Sequence, residues 1–114
     1  MSSKNKLKEL IVYIASKTAD DPAFGKTKLN KILFFADFFY YANFGKSITG
    51  NEYIHLDHGP VPKDMNFTLQ EMENKDIGFA ITQSGPFLQK RIVALRTPNL
   101  DSFTPDMVAH LDGI

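Results

Sequence analysis

The sequence contains no cysteine and no tryptophan, carries no net charge, and has no long apolar run. Without cysteine, the chain has no disulfide, thiolate zinc site, iron–sulfur cluster or cysteine nucleophile. Thirteen basic and thirteen acidic residues cancel, so the whole chain is not drawn towards nucleic-acid phosphates or anionic membranes. No apolar run reaches the roughly 18 residues of a membrane span, and the first residues lack the apolar core of a signal peptide. We therefore expect a cytoplasmic protein without a membrane partner.

The length of 114 residues is typical of one domain with one hydrophobic core. Because the predicted helices and strands do not alternate as parallel βαβ units require, we expect an α+β fold. This fold would be a small, mostly helical domain with a short antiparallel β-sheet made of a hairpin plus one strand. Periodicity predicts helices over 4–18, 27–43, 62–74 and from 104 onwards, a strand over 52–57, and a hairpin over 78–95.

Local signals indicate where the predicted helices begin and end. Thr27 is a candidate N-cap of the second helix, and Gly45 suits the left-handed position after its last turn. Pro62 suits the first turn of the third helix, while Thr104 followed by Pro105 predicts the start of the last one. We expect either that this short final helix docks on the body of a single domain, 1–114, or that the natural chain continues beyond it.

The second predicted helix is unusually aromatic. Ten residues of the chain are Phe, and four of them lie with two Tyr in residues 34–41. A helix that is apolar all round is central in a fold, or turns part of its surface to a partner. The expected inner stripe comprises Leu29, Ile32, Leu33, Ala36 and either Phe39 or Tyr40. The aromatic residues outside that stripe are Phe34, Phe35, Phe38 and Tyr41, and an interface role for them requires that they are not all buried.

The stretch 47–62 contains the only candidate metal cluster of the sequence. His55 and Asp57 point the same way in a strand, and His58 precedes a Gly-Pro turn that would bend it towards them. Three ligands with an open position would resemble a catalytic zinc site. The alternative, which we favour, is a strand end whose polar side chains hydrogen-bond a neighbouring loop, so no metal or other cofactor is expected.

Asp37 is the other unusual polar residue, because it lies within the apolar second helix. Paired with Glu52, its carboxylate would be able to serve acid–base catalysis. An unpaired buried charge is costly, however. We therefore expect a hydrogen bond from the backbone or from a Tyr, and no enzymatic role.

Nucleic acid is not expected as a partner. The sequence has neither G-x-G-x-x-G nor a Walker A loop, and its third predicted helix carries acidic as well as basic residues. A DNA-binding transcriptional regulator, which is one alternative to a protein-binding module, would need a basic face formed by Lys28, Lys31, Lys90 and Arg91. A metal-dependent enzyme at residues 55, 57 and 58 is the other alternative.

Residues 26–62 read KTKLNKILFFADFFYYANFGKSITGNEYIHLDHGPVP. This segment resembles the Panacea domain, also called the SocA-like or phage-associated GepA-like antitoxin domain. The family pattern has a lysine–leucine helix that continues into an aromatic segment ending in Asp, here Lys28 to Asp37. A glycine turn, here Gly45 to Gly50, and an aromatic strand ending in Gly-Pro follow. His58 stands where the family often has Tyr.

The resemblance implies an antitoxin of a bacterial or phage toxin–antitoxin pair. Its partner would be a cognate protein toxin, neutralised by direct contact, and some members are thought to hand a toxin to a protease. Exposed aromatic residues are the side chains that anchor protein interfaces. The residues that we expect in the binding surface are Phe34, Phe38, Tyr41, Tyr53, His55 and His58.

Overall fold

The computed structural model describes residues 3–57, 59–84 and 86–113. These residues form a small α+β domain, which confirms the predicted class. The strands form two separate antiparallel ribbons, each of two strands, so a second short strand was missed by the prediction. The elements in chain order are α1 (Ser3–Lys17), α2 (Lys26–Phe44), β1 (Tyr53–Leu56), β2 (Gly59–Pro62), α3 (Met65–Met72), β3 (Ile77–Ser84), β4 (Phe87–Ala94) and α4 (Pro105–Asp112).

The missed strand, β2, contains two prolines. The amide of Lys63 donates to the carbonyl of Glu52 at 2.8 Å, just outside the β1–β2 register. Because hydrogen-bonded pairs alternate along an antiparallel ribbon, Pro60 and Pro62 fall at positions whose nitrogen faces away from β1. The predicted helix start at Pro62 is therefore wrong, and α3 begins later, at Met65.

The hairpin of β3 and β4 is confirmed. Its register runs from Ile77 opposite Ala94 to Ser84 opposite Phe87. Gly85, predicted in its turn, lies outside the described residues. The hairpin packs against the rest of the domain at its base, where Ile77 and Ile92 are buried.

Helix α2 is central, since it contacts α1, α4 and the strands β2 and β4. Spacing of three and four residues predicts an inward face on α1 and on α3, and both faces are buried: Leu7, Leu10, Ile11, Ile14 and Ala15 on α1, and Met65, Leu69 and Met72 on α3. The final helix docks on the body through Met107 and Leu111. Of the helices in the described ranges, none combines the length and apolar character needed to cross a bilayer.

Two of the three predicted helix caps are confirmed. The side chain of Thr104 accepts a hydrogen bond from the amide of Met107 at 3.2 Å, and Gly45 adopts the left-handed conformation with φ 79°. Helix α2 is capped by Gly25 rather than Thr27. The hairpin lies close to this helix start and leaves no room for a side chain at Gly25, because a Cβ there would clash with Nε2 of Gln89 and lie 3.0 Å from the carbonyl oxygen of Lys90.

Candidate functional site

A buried carboxylate fixes the loop that follows α2. Asp37 is only 3% exposed. Its Oδ1 accepts hydrogen bonds from the amides of Ile48 and Thr49 at 3.0 and 2.9 Å. Its Oδ2 accepts from the hydroxyls of Thr49 and Tyr53, each at 2.6 Å. We call this arrangement the Asp37 clamp. It confirms the prediction that Asp37 accepts hydrogen bonds from the backbone and from a Tyr. The four donors replace the hydration that the carboxylate loses on burial.

Glu52 is not among the described partners of Asp37. Glu52 is exposed and forms an ion pair with Lys63 at 3.8 Å. The four donors around Asp37 hold its carboxylate inside the domain, where they fix it to the loop instead of directing it to a cleft. The carboxylate is therefore a structural element of the fold.

Tyr53 connects the clamp to the surface of α2. Burial raises the pKa of its hydroxyl, and the negative charge of Asp37 and the hydrogen bond to it raise the pKa further. The hydroxyl therefore stays neutral and donates inwards. The ring of Tyr53 meets the ring of Phe34 edge-on, with centroids 5.7 Å apart. Tyr53, predicted as a binding residue, thus supports Phe34 from beneath.

Four phenylalanines on the outer side of α2 form one continuous cluster, which we call the aromatic patch: Phe34, Phe35, Phe38 and Phe39. Phe34 stacks on Phe38 at 5.5 Å, and Phe35 stacks on Phe39 at the same distance. Phe35, Phe38 and Phe39 are 45%, 51% and 47% exposed, whereas Phe34 is half-buried. The rings support one another, but most of them remain open to solvent.

The two tyrosines of α2, Tyr40 and Tyr41, are adjacent in sequence but differ in exposure. Tyr40 is buried in the core, and its ring meets that of His110 at 5.4 Å. Tyr41 is 60% exposed and extends the outer side beyond the aromatic patch. Tyr40, not Phe39, therefore completes the inner stripe, and the six aromatic residues of 34–41 are not all buried.

An apolar groove of about 880 Å³ lies beside the aromatic patch, between α2, the β1–β2 ribbon and α3. Phe34 and Phe35 form one wall, Ile54 and Leu56 another, and Phe67 of α3 closes it. Both Ile54 and Leu56 are exposed, so neither contributes to the core. Phe67 was not predicted, although its position off the inward stripe of α3 is a signal for it.

The two histidines predicted in the binding surface have different outcomes. His55 is exposed and lies opposite Pro60 in the ribbon. It is not among the described residues that line the apolar groove. His58 lies outside the described residues, so the alternative of a three-ligand metal site with Asp57 is not tested. Within the described ranges, no group of three His, Asp or Glu side chains is placed to hold a metal ion.

A second cleft, of about 760 Å³, opens at the first turn of α2. We call it the basic cleft. Three of the four residues predicted for a DNA-binding face, Lys28, Lys31 and Lys90, line it together with Lys26. Arg91 does not join them, because its guanidinium donates to the carbonyl of Ala19. The structure therefore brings together most, but not all, of that predicted basic face.

Comparison with known proteins identifies the family. A family model described as "Antitoxin SocA-like, Panacea domain" matches residues 29–99, more than half of the chain. The matched segment contains the Asp37 clamp, the aromatic patch and the hairpin. Among curated proteins and solved structures, no significant match was found. The resemblance seen in residues 26–62 is thus confirmed and extended through β4, and the chain belongs to the antitoxin SocA-like family of Panacea domains.

Proposed function

We propose that the chain neutralises a cognate protein toxin by binding it directly, and that the aromatic patch with Tyr41 is the centre of the contact. The family description is that of an antitoxin, which implies a toxin as partner. The observation that carries the assignment to this surface is the row of exposed rings on a helix whose other side is in the core. Binding of the toxin would bury this apolar surface.

The patch has the physical properties of an interface anchor. Aromatic side chains bury about 150–250 Å² each and dominate interface energetics. The best of them contribute more than about 2 kcal/mol when truncated to alanine. Because α2 is held on its inner side by the core and by the Asp37 clamp, its rings are already positioned, and little conformational entropy is lost on binding.

Co-expression with the protein encoded by the adjacent gene tests this proposal. That protein should arrest growth alone, and the chain should restore growth and co-purify with it in a fixed ratio. The double variant Phe38→Ser/Tyr41→Ser should lose both effects. The matched control is Ile81→Ser/Leu88→Ser on the hairpin, where the side chains are 65% and 73% exposed, and it should retain them.

Circular dichroism and urea denaturation establish that both double variants fold. If the folded Phe38→Ser/Tyr41→Ser variant restores growth as well as the native chain does, the toxin contact lies elsewhere. If the hairpin control fails equally, the effect is not specific to α2.

The fate of the toxin separates direct neutralisation from delivery to a protease. Direct neutralisation predicts that the half-life of the toxin after synthesis is stopped is not shortened by the chain. Rapid loss of the toxin only when the chain is present would instead indicate delivery to a protease.

A further inference from the structure

The apolar groove and the basic cleft are parts of one surface. Both are lined by Lys26, Thr27, Lys31 and Asn66, so they adjoin along the first turns of α2. Residues three and four apart are neighbours on a helix surface. Lys31 therefore lies directly beside Phe34 and Phe35, and the surface changes from cationic to apolar within one turn.

The cationic end keeps an excess of positive charge. Four lysines line the two clefts, against two acidic residues, Glu73 in the basic cleft and Asp64 in the apolar groove. Lys28 is already paired with Asp21 at 3.0 Å. Lys31 is exposed, and it takes part in none of the ion pairs formed among the described residues. Lys31 is therefore available to an incoming anionic group.

The side chain of Asn30, which lines the apolar groove with Phe34 and Phe35, has an unsatisfied hydrogen-bond acceptor. Its Oδ1 is buried in the wall of the apolar groove and has no donor among the described residues. Buried acceptors in native proteins normally have a partner. Because this oxygen is shielded from solvent, the Asn30 amide would have to turn for an N–H group of a bound peptide to reach it.

We propose that the apolar groove and the basic cleft together receive one short segment of the toxin, apolar along one side and ending in Asp or Glu against Lys31. This inference rests on the proposed function, because it names the part of the partner that the surface recognises. Apolar walls select Leu, Ile, Phe or Met side chains, and the lysines select carboxylates. Single-stranded nucleic acid also uses rings beside cations, but the aliphatic walls of Ile54, Leu56 and Val61 favour a peptide.

The test is a selection of random 12-residue peptides, displayed on phage, against the intact chain. Enriched peptides should combine apolar residues with at least one Asp or Glu. Their synthetic forms should bind the chain in fluorescence polarisation, and the affinity should fall as salt is raised. Lys31→Glu and Phe67→Ser should each weaken binding by about tenfold or more, whereas Lys31→Arg should preserve it.

Lys46→Glu is the matched charge reversal, because Lys46 is exposed beyond the other end of α2 and lines neither cleft. It should leave peptide binding unchanged. Failure to enrich peptides, enrichment of peptides without carboxylates, or equal binding to Lys31→Glu would each overturn the inference. The inference would also be overturned if a labelled 20-nucleotide single strand bound the native chain more tightly than the peptides do and did not bind Lys31→Glu.

These results are separable from the growth assay. If no acidic peptide binds but Phe38→Ser/Tyr41→Ser still abolishes rescue, the inference fails and the proposed function stands. If acidic peptides bind through Lys31 but no neighbouring protein is neutralised, the peptide site stands and its assignment to a toxin fails.

Discussion

The inner and outer sides of α2 are both rich in apolar side chains, but they meet different surroundings. Leu33 and Tyr40 are buried in the core, whereas Phe35, Phe38 and Tyr41 are about half exposed. The two sides differ in helical phase and not in residue type. The inner side therefore contributes stability, and the outer side retains apolar surface that a partner can bury.

The Asp37 clamp lies between these two sides. Asp37 is buried with the inner side, while its partner Tyr53 supports the outer ring of Phe34. A polar clamp at this boundary holds the loop after α2 and thereby positions β1 against the aromatic patch. Substitutions on the two sides should consequently separate loss of folding from loss of binding.

Asp37→Ala should have the largest effect on stability. It would leave the amides of Ile48 and Thr49 buried without an acceptor, and the hydroxyl of Tyr53 with only the carbonyl of Leu33 at 3.0 Å. Removing one partner from a buried charged network costs about 3–5 kcal/mol in the free energy of unfolding, which urea denaturation measures. Asp37→Asn keeps one acceptor and should lose less.

The control for this prediction is Asp20→Ala, which removes an exposed carboxylate from the loop after α1. Its free energy of unfolding should stay within about 0.5 kcal/mol of the native value. If Asp37→Ala were as stable as this control, the clamp would have no structural role.

Leu33→Ala should have the next largest effect. Leu33 is fully buried on the inner side of α2, and truncating such a side chain to alanine costs about 2–5 kcal/mol. Phe38→Ala removes a larger side chain from the outer side, but should cost less than about 1 kcal/mol, because Phe38 is already half exposed and its ring contacts are with the half-buried Phe34 and the exposed Phe39. Equal losses in urea denaturation would contradict the distinction between the two sides.

The sequence predicted the helical phase of α2 well but not the second wall of the groove. Periodicity placed Leu29, Leu33 and Ala36 inward and Phe38 and Tyr41 off the stripe, and each is where it was expected. Only the choice between Phe39 and Tyr40 was left open, since both lie near the edge of the stripe. A helix face follows from spacing alone, which is a local property.

The β1–β2 ribbon shows why the rest was not predictable. Two prolines argued against a strand at 59–62, and alternation alone does not tell which side of a two-stranded ribbon is covered. Ile54 and Leu56 are exposed because α3 leaves a groove beside them instead of covering them. Such tertiary placement is not encoded in the spacing of a four-residue strand. The place where the basic cleft adjoins the apolar groove also depends on how α3 and the strands are placed against α2, and local sequence spacing does not predict it.

Acid offers a way to weaken the fold without changing the outer side of α2. The hydrogen bonds from Arg96 lower the pKa of Glu9 below its ordinary 4.5, against the opposing effect of burial. A carboxyl whose pKa is lower in the folded state stabilises above its unfolded pKa, and this contribution is lost as the pH falls through the folded pKa. At pH 7 the free energy of unfolding of the native chain should be about 1 kcal/mol larger than that of Glu9→Gln.

Urea denaturation over a pH series checks this expectation. The difference between the native chain and Glu9→Gln should close as the pH falls below 4.5. Glu52→Gln, which removes an exposed carboxylate, should show no comparable pH dependence. A difference that is constant with pH would mean that packing, and not the ionised pair with Arg96, accounts for the effect of Glu9.

Lys31→Ala should have the smallest effect on folding. It is therefore the sharpest test of the difference between the inner and outer sides of α2. Lys31 is exposed on the outer side of α2, and alanine is a good helix former, so the free energy of unfolding should change by less than about 0.5 kcal/mol. If the outer side serves binding, the same variant should weaken the toxin complex several-fold at low salt and less at high salt. Urea denaturation and titration of the complex at two salt concentrations measure the two effects on one protein. A variant that loses stability but binds normally would place Lys31 with the inner side, and the division of α2 into a folding side and a binding side would then be wrong.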